Sequence, residues 1–244
     1  MELSDANKNI IIEDAKKAYP NECCGLIVDR DGELVAIPCK NVSGYPEKSF
    51  IVDPEQVRLI ELDKIIASYH SHKDTMDFSI ADIAFAERLQ KFCVLYIVDS
   101  NQFKIYTPNH AQTPYAGRPF FIGYLDCLTL VQDYYKRELN IHIPDGVHSE
   151  RKNSKTWRET AEKYKFNTIA RDFFMEHGFV EVKDLKKHDL LLIKIDRLTF
   201  PSHLAIYLGN DQILQHLYEF SSIEAYRKCY QRLTAHIMRH RSLI

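Results

Sequence analysis

The run Ile65-Ile66-Ala67-Ser68-Tyr69-His70-Ser71-His72 is apolar until it ends in two histidines one residue apart. Successive side chains of an extended strand point to opposite faces, so residues i and i+2 share one. As a strand, this run aims the imidazoles of His70 and His72 at a single point. Ser79-Ile80-Ala81-Asp82 follows closely, at the head of a helical stretch from Ile80 to Leu89. A short loop turning back into that helix puts Asp82 beside the two histidines. Two imidazoles and a carboxylate, with a fourth position open to water, are the ligand set of a catalytic zinc site.

The surrounding pattern places that strand in an α/β unit. Ile10, Ile11, Ala15 and Ala18 recur at near-helical spacing, and Pro20 ends the helix. Asp29-Arg30-Asp31-Gly32 lies between two apolar runs, Gly25 to Val28 and Glu33 to Pro38, and reads as a hairpin. A polar segment, Asn41 to Lys48, leads through Phe50-Ile51-Val52 to a helix expected from Pro54 to Leu62. Cys93 to Val98 and Phe103 to Tyr106 read as two further strands. Thr107 to Pro119 holds three prolines, one glycine and no apolar periodicity, which marks a linker. The domain boundary is placed near residue 112, giving domains 1–112 and 113–244.

Beyond the linker, Cys127 to Leu139 carries a helical stripe of Leu128, Leu130, Val131, Tyr134 and Tyr135, and Pro144 closes the segment. Trp157 to Phe166 and Ile169 to His177 look helical, with Gly178 as C-cap. Strands are expected at Phe179 to Val182, Leu190 to Ile195, His203 to Leu208 and Gln212 to His216. The fold class is therefore α/β for the first domain and α+β for the second.

A formal charge of −2 provides no electrostatic case for nucleic acid as a partner. No apolar run approaches the roughly 18 residues of a membrane span. Met1-Glu2-Leu3-Ser4-Asp5 lacks the basic start and apolar core of a signal peptide, so synthesis and folding in a cytoplasm are expected. The six cysteines form no C-x-x-C pair, which argues against a disulfide framework and against a deaminase-type zinc site. Cys23 and Cys24 read as core residues.

Zinc-dependent hydrolysis also needs a base. Glu22, in Pro20-Asn21-Glu22-Cys23-Cys24-Gly25, precedes an apolar strand, where a buried carboxylate is costly unless it is used. Ser79 is a candidate donor to the tetrahedral oxyanion. The combination of an upstream Glu, His-x-His and Ser-x-x-Asp resembles the JAMM (MPN-type) metalloproteases. It is met here by Glu22, His70-Ser71-His72 and Ser79-Ile80-Ala81-Asp82, and Asn41-Val42-Ser43 through Asp53-Pro54 resembles the prokaryotic branch. The resemblance spans residues 5–108. It implies a cytidine-deaminase-like domain with Zn2+ on His70, His72 and Asp82, water in the fourth position, Glu22 as general base and Ser79 as oxyanion donor. Six residues rather than the family's usual seven separate His72 from Ser79, and Lys73 stands where that family usually has Pro.

A second chemistry lies downstream. Asp126-Cys127 opens a predicted helix, where aligned peptide dipoles stabilise a thiolate. His203, in Pro201-Ser202-His203-Leu204-Ala205-Ile206-Tyr207-Leu208-Gly209, supplies an imidazole at the head of an alternating strand. These residues resemble the NlpC/P60 family of papain-like cysteine peptidases. In that family a polar residue twelve positions after the His orients it. Spacing selects Gln215 and residue type selects His216; only one can share a face with His203. His216 is slightly preferred, because the Asn210-Asp211 turn can absorb a one-residue shift. Tyr115 matches a tyrosine that helps form the family's oxyanion site. His142, His148, His177, His188, His236 and His240 are read as solvated or capping residues without partners.

The serial order of these domains resembles the tail-assembly family of lambda-type phages over nearly the whole chain. Gly117-Arg118-Pro119-Phe120, Asp133-Tyr134-Tyr135 and Arg239-His240 add to the match. The resemblance implies a virion tail-associated protein made in the host cytoplasm, with other phage tail-tip proteins as partners. It implies a thiol site that cuts peptidoglycan stem peptides and a zinc site for a further peptide or amide substrate. The alternative is a non-enzymatic structural tail-tip protein that keeps degenerate sites.

Overall fold

In the computed structural model, which describes residues 1–57, 60, 64–121, 124–144, 166–195, 200–217 and 219–244, Asp31 and Gly32 both take positive φ, 54° and 89°. That backbone matches the right-handed twist of the strands it joins. It closes β1 (Cys24–Arg30) onto β2 (Glu33–Cys39), with Arg30 opposite Glu33 and Cys24 opposite Cys39. The chain divides into two compact units, Met1–Pro119 and Phe120–Ile244.

The first unit is a five-stranded sheet in the order β2-β1-β3-β4-β5, with β3 at Ile65–His72, β4 at Phe92–Ile97 and β5 at Gln102–Tyr106. Strands β3 and β4 run parallel. A parallel pair needs a crossover, and here it is helix α3 (Ile80–Leu89), so β3, α3 and β4 form a βαβ unit. The carboxyl end of β3 and the amino end of α3 therefore lie together, the place where open α/β sheets bind ligands. Helix α1 (Asp5–Ala18) covers one face of the sheet: Ile11 and Ala15 pack with Ile27, Ala67, Tyr69 and Val94. Tyr69 lies across Gly25, where an added Cβ would fall 2.4 Å from its ring, and its hydroxyl donates to Asp14 at 2.8 Å. Asn7 ties the helix to the edge strand: its amide donates to Leu34 O and accepts from Ala36 N–H, both at 2.8 Å. Glu87, buried on α3, accepts from the Tyr106 hydroxyl and from the backbone N–H groups of Asn109 and Ala111. A single carboxylate thus anchors the chain leaving β5.

The helix expected from Pro54 to Leu62 is present as α2, Pro54–Val57; 58–59 and 61–63 lie outside the described residues. So do His148 and the helix expected from Trp157, as far as residue 165.

The second unit pairs α4 (Cys127–Leu139) and α5 (Phe166–Glu176) with a six-stranded sheet. Its strands are β6 (Phe179–Glu181), β7 (Leu190–Ile193), β8 (His203–Gly209), β9 (Gln212–Leu217), β10 (Phe220–Ala225) and β11 (Thr234–His240), in the order β10-β9-β8-β7-β11-β6. Among the described residues, β10, helix α6 (Lys228–Leu233), β11 and a terminal 3-10 turn (Arg241–Leu243) exceed the sequence reading. Strand β11 lies between β7 and β6 yet carries a charged residue, Arg239, into the buried interior, which hides its alternation. Arg239 is 4% exposed and forks onto both oxygens of Asp189 at 2.8 Å, with Asp189 fully buried. Such a pair is tolerated inside only because each partner satisfies the other. Helix α4 packs on β8 and β9.

Four of the histidines read as partnerless have partners. His177 Nδ1 meets Phe173 O, His188 Nδ1 meets the Tyr134 hydroxyl, His236 Nδ1 meets Glu181 and His240 Nδ1 meets Ser242. Local spacing does not reveal the partners of His188 and His236, which close across 54 and 55 residues of chain.

Candidate metal and thiol sites

The ligand candidates lie on β3 and at the start of α3, and the β1–β3 register brings Glu22 to them. Cys24 stands opposite His70 across the β1–β3 ladder, so the residue two before it, Glu22, falls beside His72 on the same face. Ser71, pointing the other way between the histidines, locks that alignment: its hydroxyl accepts from Cys23 N–H at 2.9 Å. The Nε2 atoms of His70 and His72 are 3.2 Å apart, and Asp82 Oδ1 is 3.3 Å from His70 Nε2. Asp82 Oδ2 lies 4.0 Å, and Glu22 Oε1 3.7 Å, from His72 Nε2. Ligands about 2.0–2.2 Å from a tetrahedral zinc stand roughly 3.3–3.6 Å from one another. His70 meets that spacing with both partners, the His72–Asp82 pair is wider, and the three N, N, O donors suit zinc.

Asp82 owes its aim to a helix cap. It is the third residue of α3, and its Oδ2 accepts from Ser79 N–H at 2.7 Å while Ser79 Oγ accepts from Asp82 N–H at 3.2 Å. This reciprocal box satisfies two backbone donors that a helix start leaves open. It also leaves the Ser79 hydroxyl proton able to donate elsewhere.

Neighbouring charge and burial move the four groups in different directions. Burial opposes protonation of His70, but the adjacent Asp82 carboxylate outweighs it and holds the imidazole well above its ordinary value. Burial and the neighbouring His70 charge push His72 down. Burial works to raise Asp82, but His70 and the cap hydrogen bonds bring it below its usual value. Burial lifts Glu22 to about 7, against the pull of His70 and with a further push from Asp82.

Three residues to which the sequence reading gave no role at the site shape it. Phe50 stacks on His70 with ring centroids 4.6 Å apart. Cys93 Sγ lies 3.8 Å from His70 Nδ1, the nitrogen turned away from Asp82. Asn41 binds the backbone of Glu22 and Ser49 through its amide N–H groups and accepts from Ser43 and Ile51, holding the 41–51 loop against Glu22. Only the strand register could have revealed Cys93: it sits two residues before Leu95, the β4 partner of His70.

In the second unit Cys127 is the first residue of α4 and is buried. Asp126 is the N-cap, its Oδ1 accepting from Leu128 and Thr129 N–H at 3.1 Å while Thr129 Oγ1 accepts from Asp126 N–H. His203 opens β8, and its Nε2 meets Gln215 Oε1 at 3.0 Å. This reverses the preference for His216. A two-residue turn at Asn210-Asp211 pairs Gly209 with Gln212, and continued without a shift it would set His216 opposite Ala205. A bulge between Tyr207 and Gly209 moves the ladder by one, so Ala205 faces Gln215. Gln215 then shares a face with His203, while His216 turns to the other side, edge-on to Phe120 at 5.4 Å. Tyr115 lies at the end of the first unit, half-buried, with the Arg118 guanidinium 5.4 Å over its ring.

Comparison with known proteins finds two family models along the chain. Residues 5–111 match the Prok-JAB model, prokaryotic homologs of the JAB domain, and residues 116–241 match that of the NlpC/P60 family. The tail tip assembly protein K of Escherichia phage N15 is 27% identical over 237 residues, covering 96% of this chain and 93% of its own. Its namesake from Escherichia phage lambda is 33% identical over 127 residues, 52% of this chain and 59% of that protein. Among solved structures, a JAB1/MPN domain protein from Archaeoglobus fulgidus aligns at 20% identity and TM-score 0.31, over 47% of this chain and 94% of that one. An NlpC/P60 family protein from Bacillus cereus aligns at 12% identity and TM-score 0.35, over 93% of this chain and 66% of that one.

Proposed function

The chain belongs to the NlpC/P60 family through residues 116–241, and from that premise we propose that it is a phage tail-tip protein with two separate hydrolytic sites. One, at Cys127 and His203, cuts amide bonds in peptidoglycan stem peptides. The other, at His70, His72 and Asp82, takes zinc and cuts a further peptide or amide. The observation that carries the reading is the hydrogen bond from His203 to Gln215, which orients an imidazole in the unit whose helix α4 begins with a cysteine. The tail-tip role is supported by the two named relatives, and by one relative's match to nearly the whole chain. Other tail-tip proteins are its partners.

In the thiol site, the peptide dipoles at the start of α4 favour the Cys127 thiolate and His203 takes its proton. The thiolate attacks the amide carbon, and the imidazolium returns the proton to the departing amine. Water then releases the acyl group, with His203 again as base. In the metal site, His70, His72 and Asp82 would hold the zinc, which when bound supplies a Lewis acid. Glu22 takes the proton of the attacking water and delivers it to the leaving amine, a task suited to a carboxylate that burial has lifted to about 7. Ser79 donates its hydroxyl proton to the oxyanion while its oxygen remains the cap of α3.

Zymography on purified cell wall tests the reading. Wild type clears the wall and frees amino groups within stem peptides, without breaking glycosidic bonds, and a zinc chelator leaves that clearing intact. If Cys127→Ala digests the wall as fast as wild type, the peptidase reading fails and a structural tail-tip role replaces it.

A further inference from the structure

An amide such as Gln215 can turn either its oxygen or its NH2 toward a neighbour, and the two choices force opposite tautomers on a histidine. With the oxygen toward His203 Nε2, that nitrogen carries the proton and Nδ1 is the basic one. With the NH2 toward it, Nε2 is bare and Nδ1 is protonated, the wrong form to take a proton from a thiol. Something beyond Gln215 must decide which end faces His203.

The far end of the amide shows what decides. Gln215 Nε2 is 2.9 Å from Tyr230 Oη, and Tyr230 Oη is 3.2 Å from Glu224 Oε2. Ser222 donates to the other oxygen of Glu224 at 2.6 Å. Sheet register places these groups: Ser222 stands opposite Gln215 across the β9–β10 ladder, and Glu224 shares its face two residues on. Tyr230 comes from α6. An ionised carboxylate only accepts hydrogen bonds, so the Tyr230 proton goes to Glu224. The phenol oxygen then presents a lone pair and, together with the Glu224 carboxylate, accepts from the Gln215 NH2, so the amide oxygen is left to face His203. Burial works to raise Glu224, but hydrogen bonds from Ser222, Gln215 and Tyr230 and the charge of Arg227 bring it below its usual value, which keeps it ionised.

We infer that Tyr230, backed by Glu224, is a positioning residue of the thiol site: it fixes the orientation of the Gln215 amide and so places the His203 proton on Nε2. The inference rests on the proposed function, since the tautomer matters only if His203 serves as base to Cys127. Neither Tyr230 nor Glu224 touches the reacting atoms. Both act through Gln215.

The test reads the tautomer directly. In full-length Cys127→Ala protein, labelled with 15N-histidine and kept above its imidazole titration, long-range 1H–15N correlation assigns the proton of His203 to Nδ1 or Nε2. The parent shows the Nε2–H form, and adding Tyr230→Phe converts it to a mixture or to Nδ1–H. In the otherwise native chain, Tyr230→Phe slows iodoacetamide alkylation of Cys127 by about 10-fold. Tyr226→Phe is the control, because it removes a nearby buried hydroxyl that binds Thr234 instead of the amide. It leaves tautomer and alkylation rate unchanged. Should Tyr230→Phe fail to fold, Glu224→Gln tests the same chain, since an amide NH2 at that position can donate to the phenol oxygen and reverse the order. An Nε2–H form retained in a folded Tyr230→Phe or Glu224→Gln variant overturns the inference and leaves the proposed function standing. If wild-type Cys127 reacts no faster than the exposed Cys229, it is the thiol-site reading that fails, and the inference with it.

Discussion

The two sites differ in how far along the chain their parts are drawn. The candidate metal ligands His70, His72 and Asp82 come from one strand end and the first turn of the next helix, and two local rules aim them: the two-residue period of a strand and a capping box. Cys127, His203 and Gln215 come from a helix and two strands, and the face that Gln215 presents depends on a bulge that slides the ladder by one. A site built on local periodicity survives any error in long-range pairing. A site built across strands does not, because one residue of slip exchanges every side chain between faces. The orienting partners differ in strength as well. His203 has an amide at 3.0 Å backed by a phenol and a carboxylate, whereas His70 Nδ1 has a thiol sulfur at 3.8 Å.

The sharpest way to break this comparison is to disable each site and read the other. Cys127→Ala should lower cell-wall cleavage by on the order of 10^4-fold or more while zinc content holds at about one per chain. His70→Ala should empty the metal site by elemental analysis while Cys127 alkylation stays at the wild-type rate. Cross-effects in either direction would mean that the two units do not act independently.

Next in size is the choice the bulge makes. Gln215→Ala should cost about 10^2-fold in kcat through loss of the imidazole's orientation. His216→Ala, buried against Phe120, should lower stability by about 1–3 kcal/mol and leave kcat of the folded protein within about threefold. Equal kcat losses would show that the ladder slips in solution.

Smaller again is the effect of the thiol behind His70. Cys93→Val should weaken zinc binding by about 10-fold in a chelator competition, with Cys93→Ser closer to wild type, because a ligand imidazole loses the partner of its second nitrogen. An unchanged affinity would make Cys93 a filler of the core.

The smallest expected effect concerns Glu87. Its burial works against ionisation, but the hydrogen bonds it accepts hold its carboxyl below the usual range. A depressed folded-state pKa adds stability above the unfolded value, and that stability is lost as pH falls through the folded value. Glu87→Gln should therefore lower the stability of the first unit by about 1 kcal/mol at pH 7. The gap to wild type should close in acid, as thermal midpoints at several pH values would show.

The clustering of His70, His72 and Asp82 was legible in the sequence because its cause is local. His70-Ser71-His72 on a strand and Ser79 with Asp82 at a helix start each carry their geometry in a few consecutive residues, and the observed β3 and α3 begin and end where that pattern says. The Asp31-Gly32 hairpin and the Asp126 cap before Cys127 were readable for the same reason. Tertiary structure alone decided what depends on pairing between distant segments. It set Cys93 behind His70, chose Gln215 over His216, brought Tyr230 and Glu224 to that amide, and inserted β11 with its buried Arg239 beside β7. A strand's own residues fix which of them alternate, but the face turned toward a given neighbour follows from register, and Gly209, which takes φ 86° at the bulge, marks a break in the ladder without saying which partner faces His203 afterwards.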